Sequence, residues 1–236
     1  MHNFSQAASD LFGITLTEKQ LTRFERYADM LIQWNNQYNL TAIREKDTIL
    51  IKHFLDSLSC LAVIPESKSF CLIDVGTGAG FPGIPIKIAL PNIRLTLVDS
   101  VGKKVNFCQH IIDTLALENT KVIQARAEEL GQSADHRETY DWAVARAVSK
   151  LSTLSEYLLP LIKVGGTMLA QKGESGPFES HNAEKAIQLL GGHLRQLHQI
   201  MLPGVVEERY LILIDKIATT PPQYPRRTGQ PSRNPL

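Results

Sequence analysis

The residues best suited to chemistry lie in a glycine-rich stretch at positions 74–83, with the sequence DVGTGAGFPG, directly after a short apolar run. Glycine lets the backbone approach a ligand closely where any Cβ would collide. The spacing of Gly78, Gly80 and Gly83 fits the dinucleotide fingerprint, and Asp99 follows about 20 residues later, where an NAD enzyme places its ribose-binding carboxylate. This motif alone leaves an NAD-dependent oxidoreductase open.

Asp74 favours a different ligand. Its carboxylate lies two residues before Gly76, the first glycine of the loop. It therefore suits a ligand that carries an ammonium group and a positively charged sulfur, whereas it would repel a pyrophosphate. Asp99 does not discriminate, because both cofactors contain an adenosine ribose. We predict that S-adenosylmethionine binds this loop, with Asp74, Gly76 and Gly78 among its contacts.

Polar residues follow three more apolar runs, and an open α/β sheet brings such strand ends to one crevice. Ala127 and Glu128 follow the third run and offer partners to an adenine edge, whereas Glu129 is expected to be only a solvated neighbour. Arg146 follows the fourth run. A cation at a helix start opposes the helix dipole, which favours a functional role over a salt bridge. Lys172 follows the fifth run, where an exposed turn is an equally good interpretation.

From residue 70 onward, short apolar runs alternate with helical stretches, which is the pattern of βαβ units and predicts the elements that position these residues. We predict strands at 70–75, 94–98, 122–124, 142–145, 167–170, 194–201 and 209–214. Helices are predicted at 84–90, 102–117, 151–162 and 179–190. A tight connection at 202–204 makes the last two strands an antiparallel hairpin. The fold class is therefore α/β: a Rossmann-like, mostly parallel seven-stranded sheet with a terminal hairpin, as in class I methyltransferases.

The N-terminal region has a different pattern. Thr17 with Gln20 forms a capping box before an amphipathic helix, and a second helix is predicted at 47–63. His53 and Asp56 lie three apart on one face of that second helix. They are interpreted as a surface pair, unless the helix closes over the cofactor crevice.

Three parts are predicted: a helical cap at 1–65, a Rossmann-like domain at 66–220 and a basic tail at 221–236. The tail carries three arginines and no acidic residue. Its prolines predict an extended strap that contacts RNA through Arg226 and Arg227, with a disordered end as the alternative. Lys103 and Lys104 begin a helix, where they face RNA or simply solvent.

Composition limits the remaining classes of function. The formal net charge of +1 gives no overall sign of nucleic acid, and no apolar stretch reaches the roughly 18 residues of a membrane span. Three scattered cysteines, with no signal peptide, predict a reducing cytoplasm. The histidines show no spacing typical of a metal site, so no metal is expected.

Taken together, these residues resemble the RsmG (GidB) family of guanine-N7 methyltransferases that act on bacterial small-subunit ribosomal RNA. The resemblance is an ordered series over nearly the whole chain. It comprises NLT at 39–41, HFLDSL at 53–58, the loop at 74–85, LVDS at 97–100 with Lys103 and Lys104, RAE at 126–128, ARAV at 145–148, KG at 172–173, and YPRR-x-G at 224–229 before a final Pro-Leu.

The resemblance implies a methyl donor, S-adenosylmethionine, and a partner, 16S ribosomal RNA, within the small subunit or an assembly intermediate. It implies donor contacts at Gly76, Phe81, Asp99, Ala127, Glu128 and Arg146, although the family commonly has an aliphatic residue where Phe81 stands. Arg146 would position either the donor or the guanine. No general base is expected, because guanine N7 already exposes a lone pair. We further expect a monomer, RNA contact by Lys172, and no membrane association. A non-catalytic RNA-binding protein remains the alternative outside enzymes.

Overall fold

Seven strands form one sheet in the computed structural model, which describes residues 1–65 and 69–236. The strands are β1 (Cys71–Val75), β2 (Arg94–Asp99), β3 (Thr120–Gln124), β4 (Tyr140–Arg146), β5 (Ile162–Lys172), β6 (Gly192–Ile200) and β7 (Arg209–Lys216). Their order is β3-β2-β1-β4-β5-β7-β6, and β7 runs antiparallel to both neighbours while the other pairs are parallel. The predicted α/β fold with a terminal hairpin is confirmed.

Helices surround the sheet. They are α1 (His2–Phe12), α2 (Glu18–Tyr38), α3 (Lys46–Ile49), α4 (Asp56–Leu58), α5 (Gly83–Ala89), α6 (Gly102–Thr114), α7 (Ala127–Gln132), α8 (Leu151–Leu158), α9 (Gly176–Leu189) and α10 (Gln230–Arg233). A π-helical segment, Leu50–Leu55, joins α3 to α4, and the second predicted helix is therefore observed as one unbroken helical run whose hydrogen-bond pattern changes along its length. The capping box at Thr17 is confirmed, because the Gln20 backbone N–H donates to its hydroxyl oxygen.

The connection between β6 and β7 differs from the prediction. It runs from residue 201 to 208 instead of turning tightly at 202–204. Leu202 is the reason, because its buried side chain packs into the same apolar cluster as Ile200 and Leu211. The connection therefore places Leu202 in the core before the chain continues into β7.

The N-terminal helices share one core with the sheet. Phe24 lies with its ring centroid 5.1 Å from that of Phe4 and 5.3 Å from that of Phe54, and the same cluster includes Leu95 and Leu97 of β2. A second cluster lies on the opposite face, beneath α7, α8 and α9. The division into three parts stays a prediction, and its first boundary falls at residues 66–68, outside the described residues.

Candidate active site

The glycine-rich loop leaves the end of β1 and bends sharply over the edge of the sheet. Gly76, Gly78 and Gly80 adopt φ values of 71°, 62° and 95°, a region that side chains rarely allow. A Cβ on Gly76 would also lie 2.6 Å from Cγ2 of Val148. The loop is therefore held against the segment that follows β4.

Asp74 lies beneath this loop and is fully buried. Its Oδ2 accepts hydrogen bonds from the Thr77 hydroxyl at 2.6 Å and from the Gly83 backbone N–H at 2.8 Å. Its Oδ1 has no hydrogen-bond partner among the described residues. Burial raises the pKa of this carboxyl to about 6, against the effect of those two hydrogen bonds. One oxygen thus fixes the loop and the other remains an unsatisfied acceptor.

A pocket of about 100 Å³, here called the glycine-loop pocket, lies beside the loop at the ends of β1, β2 and β3. It is lined by Val75, Gly76, Val98, Asp99, Ser100, Ala125, Arg126, Ala127, Glu128, Val148 and Tyr157. Asp99 accepts backbone N–H groups from Gly78 at 3.0 Å and Val101 at 2.9 Å. A carboxylate has about four acceptor positions, so Asp99 retains capacity for ribose hydroxyls.

Glu128 lies in the first turn of α7, a short helix that the sequence did not predict. Its Oε1 accepts the backbone N–H of Gly229 from the C-terminal tail at 2.9 Å. The neighbouring Glu129 accepts the Arg126 N–H at 3.1 Å and so caps the helix start. Glu129 is thus a capping residue, whereas Glu128 connects the pocket to the tail.

Arg146 ends β4 and points toward the N-terminal helices. Its Nη1 donates to Oδ2 of Asp56 at 2.6 Å, and its guanidinium carbon lies 4.9 Å from the centre of the Phe81 ring. Asp56 is buried, so the interpretation of His53 and Asp56 as a surface pair is wrong. The second helical region instead closes over the end of β4.

The chain turns sharply after Arg146. Ala147 adopts a φ of 56°, in the left-handed region that costs an L-residue roughly 1–2 kcal/mol. Such strain is typical of positions where the geometry serves a site.

His53 and Phe81 form the floor under the Arg146 guanidinium. Their rings stack with centroids 4.6 Å apart, and His53 also forms a 2.7 Å hydrogen bond with the Thr41 hydroxyl. Burial, and then the positive charge of Arg146, lower the pKa of His53 to about 3. The imidazole is therefore neutral at physiological pH and leaves the arginine as the local charge.

A larger cavity of about 490 Å³, here called the Arg146 cavity, opens on the other side of this segment. It is lined by Lys52, His53, Asp56, Ser59, Arg146, Ala147, Gln171, Lys172, Gly173, Glu179, Arg209, Tyr210 and Leu211. Four of these side chains are cationic and two are acidic, so the cavity favours an anionic or polar ligand. Ala147 lines this cavity and the next residue, Val148, lines the glycine-loop pocket.

Gln171 forms part of the inner wall of the Arg146 cavity. Its Nε2 donates to the Asp56 carbonyl at 2.7 Å, while its Oε1 is buried with no hydrogen-bond partner among the described residues. Lys172 lies beside it, and its Nζ donates to Glu179 at 2.7 Å. Lys172 is thus an ordered part of the cavity and not an exposed turn.

The other residues predicted to bind RNA lie away from this cavity. Lys103 donates to the Tyr38 carbonyl at 2.7 Å, and Lys104 lies 3.7 Å from Asp99. Arg226 is paired with the fully buried Glu156, whereas the Arg227 side chain is exposed. The alternative of a disordered end is wrong, because Pro225 and Pro231 of the tail are buried against the domain, while RNA contact by the tail stays a prediction.

Several site residues escaped sequence analysis because their partners are distant along the chain. Asp56 precedes Arg146 by 90 positions, and Arg209 enters the cavity from the start of β7. The spacing of His53 and Asp56 was the available signal for the first of them. Nothing in the local sequence indicated Arg209 or Tyr157.

The site residues fit S-adenosylmethionine. The free acceptor capacity of Asp99, which lines the glycine-loop pocket, suits ribose hydroxyls, whereas Asp74 is fully buried beneath the loop and lines neither cavity. Within residues 1–65 and 69–236, no group of three or more acidic, histidine or cysteine side chains is placed to hold a metal ion. None of the described helices is long and apolar enough to cross a membrane.

Comparison with known proteins identifies close relatives. The model of the GidB family, described as rRNA small subunit methyltransferase G, matches residues 20–208. Two relatives bear the name "Ribosomal RNA small subunit methyltransferase G". The protein of Desulforamulus reducens is 46% identical over 231 residues, covering 98% of this chain and 96% of its own. The protein of Leuconostoc mesenteroides is 44% identical over 236 residues, which cover 99% of this chain and 98% of its own.

Solved structures share the fold at lower identity. A SAM-dependent methyltransferase from Aquifex aeolicus superposes with a TM-score of 0.54 at 16% identity, covering 71% of this chain and 92% of that chain. A 16S rRNA adenine-N1 methyltransferase from Catenulisporales acidiphilia gives a TM-score of 0.53 at 14% identity, covering 68% and 88%. At these identities the likeness shows the fold alone.

Proposed function

The chain belongs to the family of rRNA small subunit methyltransferase G, and we propose that it transfers a methyl group from S-adenosylmethionine to N7 of a specific guanine in 16S ribosomal RNA. The observation that carries this proposal is the placement of two cavities on either side of the turn after Arg146. One is lined by the glycine loop and the other by cationic side chains. An adenosine-containing donor and a nucleic acid base thus have separate sites that meet at one strand end.

The adenosine part of the donor is assigned to the glycine-loop pocket. Asp99 would accept hydrogen bonds from the ribose hydroxyls, while Ala127 and Glu128 would lie against the adenine. Gly76 and Gly78 allow close approach of the loop backbone. Phe81 packs against Tyr27 and His53, so it supports the loop from below. When bound, S-adenosylmethionine supplies an electrophilic methyl group on a sulfonium.

The guanine is assigned to the Arg146 cavity. Guanine presents O6 and N7 as acceptors along one edge, and an arginine that donates to O6 would hold the base while leaving the N7 lone pair free. Asp56 holds the Arg146 guanidinium at 2.6 Å, and the guanidinium lies over the Phe81 ring. Arg146 is thus oriented before the base arrives. We assign it to positioning the guanine, since it lines this cavity and is absent from the lining of the other.

The chemistry requires alignment and not proton removal. N7 carries an available lone pair, and it becomes bonded to carbon as the bond between that carbon and sulfur breaks. The electron pair stays on sulfur, and the product base carries the positive charge. No general base is needed. Fixed alignment of reacting groups contributes as much as roughly 7–11 kcal/mol in favourable cases.

We assign binding of the RNA around the target guanine to cationic side chains of the cavity and of other surfaces. Lys172 and Arg209 line the cavity, while Lys103, Lys104 and Arg227 lie away from it. We propose that the protein acts as a monomer in the cytoplasm, on the small subunit or on an assembly intermediate.

The proposal is tested by incubation with methyl-labelled S-adenosylmethionine and either bare 16S RNA or small subunits that lack the modification. Digestion to nucleosides and chromatography should place the label in 7-methylguanosine. Comparison of the two substrates identifies the form that is recognised. Label in another nucleoside, or none with either substrate, would contradict the proposed reaction.

A further inference from the structure

The C-terminal tail, residues 221–236, is bound firmly to the domain next to the glycine-loop pocket. Hydrogen bonds from the domain hold its backbone along its length. The guanidinium of Arg137 donates to the carbonyl of Tyr224 at 2.7 Å, and Gln132 donates to that of Pro225 at 2.7 Å. Thr153 donates to the carbonyl of Pro231 at 3.1 Å, and the N–H of Gly229 reaches Glu128. A segment held this way is part of the folded domain.

Arg226 makes the strongest of the tail interactions. Its backbone N–H and its Nε donate to Oε1 of Glu156 at 2.8 and 2.9 Å, and its Nη2 donates to Oε2 at 2.6 Å. The Glu156 side chain has no exposed surface, and that of Arg226 is 19% exposed. A buried carboxylate without its cation is strongly destabilised, so this pair fixes the tail to α8.

The two helices that hold the tail also line the glycine-loop pocket. Ala127 and Glu128 belong to α7, and Tyr157, the residue after Glu156, belongs to α8. Glu128 is shared, because it lines this pocket and also a groove formed by the tail. The tail therefore joins α7 to α8 directly behind the wall assigned to the adenine.

Pro225 adds a packing interaction to the same junction. A Cβ on Gly131 of α7 would lie 2.7 Å from Cγ of Pro225, so the tail packs against the helix backbone with no space between them. Gly131 is thus a position where a small change displaces the tail without altering any charge.

We propose that the tail is a clip that positions the adenine side of the donor pocket, with Arg226 as its central positioning residue. This inference rests on the donor site proposed above. It assigns Arg226 to donor affinity and not to RNA contact. The clip contacts Glu128 through the N–H of Gly229. It contacts Glu156, the residue before Tyr157 in α8, through Arg226. Loosening either end lets α7 and α8 separate and lowers affinity for the donor.

The test compares two neighbouring arginines. Arg226→Gln removes the buried pair, whereas Arg227→Gln removes the same charge from an exposed side chain one position away. Calorimetry with S-adenosylmethionine should show binding roughly 2- to 30-fold weaker for Arg226→Gln, the range for coupling through packed side chains. Arg227→Gln should bind the donor like the parent. Donor binding by the parent, measured first, tests the donor site independently of the clip.

A second variant guards against failure of the first to fold. Gly131→Ala retains every charge, favours helix, and displaces Pro225, so it should also weaken donor binding. Hydrogen exchange of α7 amides, measured without donor, should rise in both variants and remain unchanged in Arg227→Gln. Arg227→Gln should weaken RNA binding and flatten its dependence on salt concentration.

The clip is overturned if Gly131→Ala and folded Arg226→Gln keep the parent's donor affinity and α7 exchange. It is equally overturned if Arg226→Gln and Arg227→Gln weaken RNA binding alike while leaving the donor unaffected. In the second case the tail would act on RNA alone.

Discussion

The glycine-loop pocket and the Arg146 cavity are built in different ways. The pocket is formed mostly by residues close to strand ends, with Asp99 fixed by backbone N–H groups of Gly78 and Val101. The cavity is formed by side chains that meet from distant parts of the chain, and its central pair joins Asp56 to Arg146. A backbone site tolerates little change in the loop, whereas a side-chain site is adjusted by single substitutions.

This difference suits the two proposed ligands. One donor molecule serves a whole fold class, and a shared loop geometry binds it. A particular guanine must be selected from many, which demands fixed polar side chains around the base. Substitutions in the two regions should therefore give separable effects: donor affinity in one, and methyl transfer or RNA binding in the other.

The largest effect is expected for Arg146→Ala. Removing a group that orients a reacting partner lowers kcat by roughly 10²–10³-fold, as for a removed oxyanion donor. The variant also leaves the Asp56 carboxylate without its closest cation, at a cost of about 1–3 kcal/mol in unfolding free energy. Arg195→Ala, which breaks a half-exposed pair with Asp215 on the terminal hairpin, is the matched control. Parent-like transfer by folded Arg146→Ala at saturating RNA would remove Arg146 from the site.

Asp99→Ala should weaken donor binding in the glycine-loop pocket, by a smaller factor than Arg146→Ala lowers methyl transfer. Removing the acceptor of buried ribose hydroxyls costs about 1–3 kcal/mol, which corresponds to roughly 5- to 150-fold in donor affinity. Calorimetry measures it, and RNA affinity should not change. Asp113→Ala removes an exposed carboxylate from α6 and serves as the control. If the two alanine variants bound the donor equally well, Asp99 would lie outside the donor site.

Arg209→Gln should affect RNA only. Removal of one cation that binds a phosphate flattens the slope of log K against log salt by roughly 0.7–0.9. Lys163→Gln is the control, because Lys163 is the second residue of β5, at the opposite end of the strand from the cavity. Filter binding in a salt series gives both slopes. An unchanged slope for Arg209→Gln would place the RNA elsewhere.

The smallest effect concerns His53. Its pKa of about 3 lies below the ordinary value, so the stability gained from the neutral ring is present above about pH 6.5 and is lost as pH falls toward 3. In NMR titrations its ring signals should stay constant from about pH 5 to 8. Because the charge of Arg146 contributes to the shift, Arg146→Ala should raise this pKa. A midpoint near the ordinary value in the parent would show that the ring is not buried under the arginine.

The sequence predicted the glycine-loop pocket better than the cavity, for a physical reason. Loop chemistry is local, so the glycines and Asp99 were recognisable from spacing alone. The Asp56 pair joins residues 90 positions apart, and the sequence does not show that the second helical region lies over the end of β4. The contacts that order the tail could not be predicted, because its composition is also that of a disordered end and its partners Glu128, Arg137 and Glu156 lie elsewhere in the chain.

The division between the two regions is tested most directly by a crystal structure with S-adenosylhomocysteine. The ribose should lie against Asp99 and the adenine against Ala127, with the cavity at Arg146 and Arg209 left open for a base. A product molecule lying in the 490 Å³ Arg146 cavity instead would contradict the account.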